Sequence, residues 1–386
     1  VVTFNLIYLV RVAALLLLIG FAARLIADFA TRWSIAWAGR RGTLADVNDR
    51  SSHTTPTPRL GGIGIAAGLA AGFVVVAAML AAPQVMPAEL RLTSGNSEWF
   101  GWMKFAAFVG ATYAAFALGF VDDVKGMGAL KKLAAQAVIA IIPPLMGMRI
   151  ERIHLPGMAS VAALPPVAGV ALTTAWLLVM MNAVNFMDGI NGLAGRFAEI
   201  ASIGAFLGLV GFDGAETLLP LCAALYGASD GFLKHNVPTA KTFMGDCGSQ
   251  MIGMFLGLLG IHITQMPMNF PPPFIGFVII VSLFIFDVLA TMIRRGIQGK
   301  NLLQAHREHF YQQHLIRNGE DHDRTLFFVD GYLFMLAFVG AIYLHFGFGV
   351  HGTTAVLQIP MTILQAVLII VAGGMLLSYA WGARRS

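Results

Sequence analysis

Two adjacent aspartates, Asp122 and Asp123, end a long apolar run in the segment GFVDDVKG. If the run is a helix, both acids lie at its C-terminal end, where the helix dipole disfavours negative charge. A bound cation would offset that cost, and Mg²⁺ commonly binds one or two carboxylates together with substrate phosphates. A solvated helix end is the alternative interpretation. The pair favours a role in metal binding or catalysis.

A second polar segment, NAVNFMDGING, supplies Asn182, Asn185 and Asp188 at a spacing of three. Residues three apart share one face of a helix. The Asp-Gly pair alone indicates only a turn, and capping of the flanking helices is the alternative role for these side chains. The spacing indicates a polar face that could contribute to a site.

A third acid, Asp246, lies between glycines at the start of an apolar stretch, in the segment FMGDCGS. Gly245 and Gly248 allow the backbone to approach a ligand closely. A carboxylate at a helix N-terminus is also a good cap, which is the alternative role. Asn236 lies in the loop just upstream. We predict that Asp246 is a ligand of a divalent metal.

Two further segments carry donors suited to an anion. AHREHFYQQH contains His306, Arg307 and His309, and RSSHTTPTPR contains His53 and Arg59. Arginine and histidine donate to phosphate or nucleotide oxygens. Zinc is not favoured, because no cysteine or further ligand cluster accompanies the histidines. The prolines of the second segment are also consistent with a rigid loop and nothing more.

Asp287 is the one acid deep within a strong apolar stretch, LFIFDVLATMIRR, seven residues before Arg294. Seven residues correspond to about 10 Å along a helix axis. We expect the carboxylate to face the protein interior near one end of the helix. An acid at such a position is a candidate functional residue by default.

The composition identifies the kind of protein that must position these groups. The chain has 386 residues, of which 57% are hydrophobic and only 12% charged, whereas a soluble domain has about 25% charged residues. Its mean hydropathy is +0.74. The basic residues lie between apolar stretches and form no single stripe, which argues against nucleic acid as a partner. The two cysteines, Cys222 and Cys247, predict no disulfide framework.

Eleven apolar stretches approach the roughly 20 residues of a membrane-spanning helix. The sixth and seventh are the weakest, so ten spans remain an alternative. The sequence therefore predicts an all-α polytopic integral membrane protein with 10–11 transmembrane helices, forming one domain over 1–386. The stretches are about 5–27, 61–82, 103–121, 130–148, 163–181, 193–211, 215–229, 247–266, 273–293, 326–348 and 356–381.

The polar segments all fall on one side of the predicted membrane. With the first loop (28–60) on that side, 19 Lys and Arg residues lie there and four on the other. The positive-inside rule makes the richer side cytoplasmic. The loops that carry the motifs are about 49–62, 120–136, 182–195, 234–249 and 294–314.

Two other classes of membrane protein fit less well. A lipid or sugar transporter predicts ionisable groups near the bilayer midplane and internal repeats, but the motif loops do not repeat one another. A CDP-alcohol phosphotransferase needs several spaced aspartates on one helix after an Asp-Gly pair. The next acids after Asp188 are Glu199 and Asp213.

In this order, the segments resemble the polyprenyl-phosphate N-acetylhexosamine-1-phosphate transferase family, of the glycosyltransferase 4 type. The resemblance extends from about Arg50 to Gln313. It is carried by RSSHTTPTPRLGG, GFVDD, KLAAQ, NAVNFMDGINGLAG, a loop with Asn236 that ends in FMGDCGS, an aspartate in the ninth apolar stretch and a last loop with histidines.

The resemblance implies an activity. The family transfers a sugar-1-phosphate from a UDP-N-acetylhexosamine to a polyprenyl phosphate such as undecaprenyl phosphate, and releases UMP. It uses Mg²⁺, for which Mn²⁺ is an alternative. The expected location is the bacterial plasma membrane, with the active site facing the cytoplasm. A homodimer is one arrangement that the sequence leaves open.

The resemblance also implies roles for individual residues. Asp122, Asp123 and Asp246 match catalytic or metal-binding positions, and we assign the metal to Asp246 and Asp122. Positions associated with the substrates or the metal are matched by Lys132, Asn185, Asp188, Asn236, His306 and His309. Side-chain chemistry and position suggest substrate binding for His53, Arg59, Arg307 and Asp287 as well.

The two adjacent aspartates are expected to have unequal roles. Consecutive helical residues point about 100° apart, because a turn takes 3.6 residues. One carboxylate should face the metal and the diphosphate, and the other the acceptor phosphate or a basic partner such as Lys132. Proton acceptance by an aspartate and nucleophilic attack by it both remain open.

The chain departs from the family pattern at two places. Asn191 stands where many members have a second aspartate, so a role that needs that charge cannot be carried over. The last loop, HREHFYQQ, lacks the consecutive histidines of the muramoyl-pentapeptide branch. It looks more like members that start O-antigen or other surface polysaccharides, with the peptidoglycan enzyme as the alternative.

Overall fold

The computed structural model describes residues 6–41, 44–45, 57–86, 101–153, 162–210, 212, 214–266, 274–301 and 306–346. This part of the chain folds into long helices, with two antiparallel pairs of two-residue strands at the loops: β1 (Leu44–Ala45) with β2 (Thr57–Pro58), and β3 (Arg152–Ile153) with β4 (Ala162–Ala163). The helices are α1 (Leu6–Arg41), α2 (Gly62–Ala81), α3 (Trp102–Lys125), α4 (Ala129–Leu145), α5 (Pro166–Met187), α6 (Leu193–Leu209), α7 (Leu218–Leu233), α8 (Gly245–Thr264), α9 (Phe274–Ile297), α10 (Phe310–Arg317) and α11 (His322–Phe346).

The predicted fold class, an all-α polytopic membrane protein, is confirmed. Each of the first ten predicted stretches coincides with a helix, and 356–381 lies outside the described residues. Within the described ranges, α1, α2, α3, α5, α8, α9 and α11 are long and apolar enough to cross a membrane. Three shorter helices, α4, α6 and α7, have 17, 17 and 16 residues.

The predicted start of the first loop, at residue 28, is wrong. Helix α1 continues to Arg41 and has 36 residues, because the charged residues after the apolar stretch find partners on the helix and on its neighbour. Arg32 donates to Asp28 one turn away at 2.8 Å, and the other oxygen of Asp28 lies 2.6 Å from His235 Nε2. No proline interrupts this part of the helix.

Helix α8 lies at the centre of the molecule and is buried along almost its whole length. It packs against α3, α5 and α2. Gly119 of α3 lies against the first turn of α8, where an added Cβ would be only 2.2 Å from the carbonyl oxygen of Asp246. A residue without a side chain thus lets the acidic end of α3 reach the start of α8.

We predict that Gly119→Ala destabilises the protein by about 1–3 kcal/mol, as overpacking of a tight contact does. Its Cβ must push α3 and α8 apart at Asp246, so activity should fall as well. Gly110→Ala is the matched control on the same helix, since nothing lies within 4 Å of its Cβ position. Melting temperatures in detergent would compare the two variants. Equal melting temperatures would contradict the close approach.

Candidate active site

Lys132 joins the acids of two other helices. It lies in the first turn of α4, and its ammonium group contacts the carboxylate of Asp246 at the start of α8. The same Nζ lies 2.9 Å from Oδ2 of Asp122 at the end of α3. A turn of three residues, 126–128, separates α3 from α4, so Lys132 folds back onto Asp122. One cation is therefore shared between two carboxylates.

Asn185 brings a fourth helix, α5, to this cluster. Its Nδ2 donates to Oδ1 of Asp246 and to the hydroxyl of Ser249, both at 2.9 Å. The side-chain oxygen of Asn185, Oδ1, lies 3.5 Å from Lys132 Nζ. An amide can donate and accept at once, so Asn185 contacts both charges of the ion pair. Four of the predicted site residues, Asp122, Lys132, Asn185 and Asp246, thus meet at one place.

Asp123 has different partners from its neighbour. Its two oxygens accept hydrogen bonds from the backbone N–H groups of Asp246 and Cys247, each at 2.9 Å. The first N–H groups of a helix have no partner within it, and here a carboxylate from another helix supplies one. Oδ1 of Asp122 instead accepts from the N–H of Met127 at 2.6 Å. The two contact sets differ, as helix geometry requires, while the catalytic roles stay predictions.

Asp188 follows the end of α5 and is half-buried. Burial first, and then the carboxylates of Asp246 and Asp123, raise the pKa of Asp188 to about 8, against the opposing charge of Arg59. Among the described residues, no side chain or backbone group donates a hydrogen bond to this carboxylate. A cation bound nearby would relieve the repulsion that raises its pKa.

The donor set fits Mg²⁺. Lys132 shows that positive charge is accommodated between Asp122 and Asp246, and Asp188 adds a third carboxylate to the surroundings. Within the described ranges, no group of three or more His, Cys, Asp or Glu side chains is placed to enclose an ion. Mg²⁺ needs no such enclosure, because it keeps waters and substrate phosphates as ligands. The assignment to Asp246 and Asp122 stays a prediction.

The loop before Gly245 is held by the segment that contains Arg59. Phe243 donates its N–H to the carbonyl of Pro58 at 2.7 Å, and Gly61 donates to the carbonyl of Phe243 at 2.9 Å. Gly245 has φ +75°, and a Cβ there would lie 2.0 Å from the carbonyl oxygen of Arg59. Only glycine suits both conditions. The backbone pairing therefore places Arg59 beside the acids.

Asn236 joins two of the motif loops. Its Oδ1 accepts from the N–H of Gly192 at 2.6 Å, and its Nδ2 donates to the carbonyl of Thr242 at 2.8 Å. The side chain is 5% exposed. Both ends of the amide are engaged by backbone, so the contacts are those of a residue that positions the loops. Its predicted role in substrate binding stays a prediction, and His53 lies outside the described residues.

Asp287 anchors the last loop. It faces the protein interior, as expected, and is 1% exposed. Its Oδ1 accepts from the N–H of Phe310, the first residue of α10, at 2.8 Å. Its Oδ2 lies 3.4 Å from His309 Nδ1. Asp287 therefore lies beside His309 in the protein interior, and its predicted contact with substrate stays a prediction.

The last loop packs on the turn that carries Asp188. The hydroxyl of Tyr311 donates to the carbonyl of Phe186 at 3.2 Å, and the His309 ring is stacked on the Phe186 ring with centroids 5.9 Å apart. A Cβ at Gly189 would lie 1.9 Å from the Tyr311 hydroxyl. The histidine loop and the acidic turn are therefore neighbours.

His306 and Arg307 have contacts of different kinds. Burial first, and then the neighbouring His309 and Arg295 side chains, lower the pKa of His306 to about 4. The ring is neutral near pH 7 and so can donate or accept one hydrogen bond at each nitrogen. Arg307 Nη2 lies 3.3 Å from Oε2 of Glu320. Both side chains are partly exposed at the edge of the loop.

Several contacts of the site were not predicted. Ser249 bonds Asn185, and Gln250 bonds Asp246 from one turn further along α8. Gln136, one turn after Lys132, is fully buried. A spacing of four from a predicted site residue places a side chain on the same helix face, so this signal was available for both glutamines. Ser249 carries no comparable signal beyond its place after Gly248.

We predict that Asp122→Asn and Asp123→Asn differ. Asp123→Asn puts an NH₂ group against one of two backbone N–H groups, so it should lower stability by about 1–2 kcal/mol, as loss of a helix cap does. Asp122→Asn keeps an acceptor for Met127 and changes only the side-chain contacts with Lys132 and Asp246, so the turnover rate should fall more than the melting temperature. Melting curves and initial rates would be measured for both. The assignment is wrong if the two variants lose stability and rate in the same proportion.

Comparison with known proteins supports the resemblance. Residues 105–264 match the family model of glycosyl transferase family 4. The chain is 31% identical over 371 residues to the decaprenyl-phosphate N-acetylglucosaminephosphotransferase of Mycolicibacterium smegmatis. The aligned region covers 90% of this chain and 88% of that protein. It is 27% identical over 302 residues to the probable undecaprenyl-phosphate N-acetylglucosaminyl 1-phosphate transferase of Bacillus subtilis, covering 77% and 76%.

A third relative is the phospho-N-acetylmuramoyl-pentapeptide-transferase of Rubrobacter xylanophilus, 29% identical over 247 residues, which covers 62% of this chain and 68% of that protein. The predicted resemblance is confirmed, and the transporter alternative is set aside because the family consists of transferases. The chain belongs to glycosyl transferase family 4 and is a phosphosugar transferase of the multi-pass membrane type.

Proposed function

We propose that the protein transfers an N-acetylhexosamine-1-phosphate from a UDP-sugar to a polyprenyl phosphate, releasing UMP. The observation that carries this proposal is the cluster of Lys132, Asp122 and Asp246 at converging helix ends. A lipid phosphate lies at the membrane surface while its tail stays in the bilayer. Residues at the ends of membrane-spanning helices are therefore placed to bind the phosphate. The names of the mycobacterial and Bacillus relatives specify decaprenyl and undecaprenyl phosphate as acceptors.

The reaction joins two phosphates. An oxygen of the lipid phosphate forms a bond to the phosphorus that carries the sugar, and the bond from that phosphorus to the oxygen of UMP breaks. Both substrates are anionic, so the site must hold negative charge against its own acids. Lys132 and Arg59 are the cations beside Asp246 and Asp188, and we assign them to the phosphates.

Asp246 and Asp122 would hold Mg²⁺, with Asp188 as a further ligand that remains when Asp122 carries a proton. When bound, the ion supplies positive charge to the donor diphosphate and to the leaving UMP. The raised pKa of Asp188 supports its inclusion, because the repulsion from Asp246 and Asp123 is what a cation would cancel. Mn²⁺ has similar ligand preferences and is expected to substitute.

Asp122 is the better candidate for the proton acceptor. Both oxygens of Asp123 accept backbone N–H groups of α8, which fits a positioning residue. Asp122 Oδ2 lies 2.9 Å from Lys132 Nζ, and the carboxyl of Asp122 is also in side-chain hydrogen-bond contact with Asp246. When the lipid phosphate enters as the monoanion, its proton passes to Asp122 as the new P–O bond forms, and Lys132 remains to balance the charge.

The last loop is proposed to receive the nucleotide. His309, which stacks on Phe186, and the neighbouring neutral His306 lie near the turn that carries Asp188. The neutral imidazole of His306 can form hydrogen bonds without adding charge beside Arg295. Arg307 would reach a phosphate by exchanging its partner Glu320. This arrangement supports a UDP-sugar as the donor.

N-acetylglucosamine is the sugar that we favour. The relatives named for it match a larger share of the chain than the muramoyl-pentapeptide enzyme does, 90% against 62%, and the last loop has no run of consecutive histidines. The product, a lipid-diphosphate sugar, would start O-antigen or another surface polysaccharide at a bacterial plasma membrane. Assembly as a homodimer stays a prediction.

We predict that purified protein releases UMP from UDP-N-acetylglucosamine only with a polyprenyl phosphate and a divalent cation present. EDTA should abolish release, and MgCl₂ or MnCl₂ should restore it. Asp246→Asn should reduce the rate at least about 100-fold, because loss of a charged group at a phosphoryl-transfer site typically costs several kcal/mol. Other UDP-sugars in the same assay test the choice of sugar. Near-normal release by a folded Asp246→Asn variant would rule out its assignment.

We predict that the active site faces the cytoplasm. Asn318→Cys lies after α10 on the side of the motif loops, and Arg152→Cys lies on the other side. Both native cysteines are buried, so they should stay unlabelled by an impermeant maleimide. In intact cells Arg152→Cys should label and Asn318→Cys should not, unless the membrane is permeabilised. The reverse pattern would refute the topology.

A further inference from the structure

A second polar layer lies beneath the charged one. Its three amide side chains come from α4, α5 and α8, the helices that carry Lys132, Asn185 and Asp246. They lie four residues from Lys132, three residues from Asn185 and four residues from Asp246. Such spacings keep each pair on one helix face. Gln136 and Gln250 are fully buried. The pairs are Lys132 and Gln136, Asn185 and Asn182, and Asp246 and Gln250.

These amides form one chain of hydrogen bonds, which we call the amide relay (Asn182, Gln136 and Gln250). Asn182 Nδ2 donates to Gln136 Oε1 at 2.9 Å. Gln136 Nε2 donates to Gln250 Oε1 at 3.2 Å. Gln250 Nε2 donates to Oδ2 of Asp246 at 3.3 Å. The relay thus ends on the oxygen that also contacts Lys132.

The direction of the relay follows from its last member. An ionised carboxylate only accepts hydrogen bonds, so Gln250 must turn its NH₂ group to Asp246 and its oxygen to Gln136. Gln136 must then donate to Gln250 and accept from Asn182. Asp246 therefore determines the orientation of all three amides, and each amide in turn restricts where the carboxylate can lie.

Packing alone does not account for these residues. Small or apolar side chains suffice to pack helices within a membrane, and a buried amide is costly unless its partners are in place. In surroundings of low dielectric constant, a fully satisfied chain of hydrogen bonds is strengthened and rigidified. Two buried glutamines between α4 and α8 therefore fix those helices more narrowly than two apolar residues would.

We propose that Gln136 and Gln250 are positioning residues that hold the Asp246 carboxylate against Lys132 through the amide relay. Both glutamines are fully buried, so we assign them an effect on the reaction only through Asp246. This inference deepens the proposed function and rests on it for its effect on rate. It predicts that the relay affects the turnover step more than substrate binding, since it acts on the geometry of the ion pair.

The test uses methionine, which is close to glutamine in shape and forms no comparable hydrogen bond. Gln250→Met removes the donor to Asp246 and leaves Gln136 Nε2 without its acceptor, so both kcat and melting temperature should fall. The double variant Gln136→Met with Gln250→Met removes the stranded donor, while Asn182 keeps its bond to the carbonyl of Leu178 at 2.8 Å. Removing both partners can be nearly neutral for stability. We expect the melting temperature to recover in the double variant and kcat to stay low.

The expected decrease in kcat is about 10- to 100-fold, the effect of one hydrogen bond to a charged group, with KM for the UDP-sugar changed by less than about threefold. Gln136→Met alone leaves the donor of Gln250 facing Asp246, so its kcat should lie between those of the wild type and Gln250→Met. Gln265→Met is the matched control, at the residue that directly follows α8. Gln265 donates to the carbonyls of Gly147 and Arg149 at the other end of the helix, so its kcat should be unchanged.

A folded double variant with wild-type kcat overturns the proposal, and so does a kcat that recovers together with the melting temperature. Either result would make the glutamines packing residues only. If the wild-type protein releases no UMP from any UDP-sugar, the proposed function fails. The melting temperatures then test the hydrogen bonds of the amide relay independently of activity. A melting temperature that recovers in the double variant supports the hydrogen bond between Gln136 and Gln250, and a loss of stability equal to the sum of the two single variants contradicts it.

Discussion

The ammonium group of Lys132 lies between two carboxylates, and this sharing fixes where three helices can end. The side chains of Lys132, Asp122 and Asp246 are 17%, 13% and 26% exposed, so solvent screens them only in part. At an effective dielectric constant of about 20, opposite charges 4 Å apart attract by about 4 kcal/mol. Desolvation offsets much of that gain, but either partner left alone would be a strongly unfavourable buried charge. The ends of α3, α4 and α8 must therefore meet.

The same constraint explains the backbone around the site. For Asp122 to reach Lys132 and Asp123 to reach the N-terminus of α8, helix α3 must touch α8 backbone to backbone, which Gly119 permits. The chain before α8 must then turn sharply, which Gly245 permits with its positive φ. Neither glycine carries chemistry. Both allow charged groups from distant parts of the sequence to share one small volume.

Much of this arrangement is readable in the sequence, for physical reasons. Hydropathy alone located every described helix except the short α10, because a membrane-spanning segment must be apolar over its length. The acids of the site stood out because ionisable residues are rare in such a chain. The length of α1 was not readable, since Asp28 and Arg32 resemble loop residues until the pairing with His235 on another segment is known. The partners of Asp123 were equally hidden, because they are backbone groups that any sequence would supply.

Helix α8 illustrates how burial relaxes the demand for lipophilicity. Its mean hydropathy is 1.3, against 2.4 for α2 and 2.5 for α9, and its buried residues include Gln250 and His262. A segment this polar gains little from entering lipid alone, because each such group is costly in hydrocarbon. The helices that pack most extensively against α8, namely α2, α3 and α5, precede it in the chain, whereas α9 follows it. Most of the surface that accepts α8 is therefore synthesised before α8 itself, and the order of translation favours its insertion between protein helices instead of into lipid.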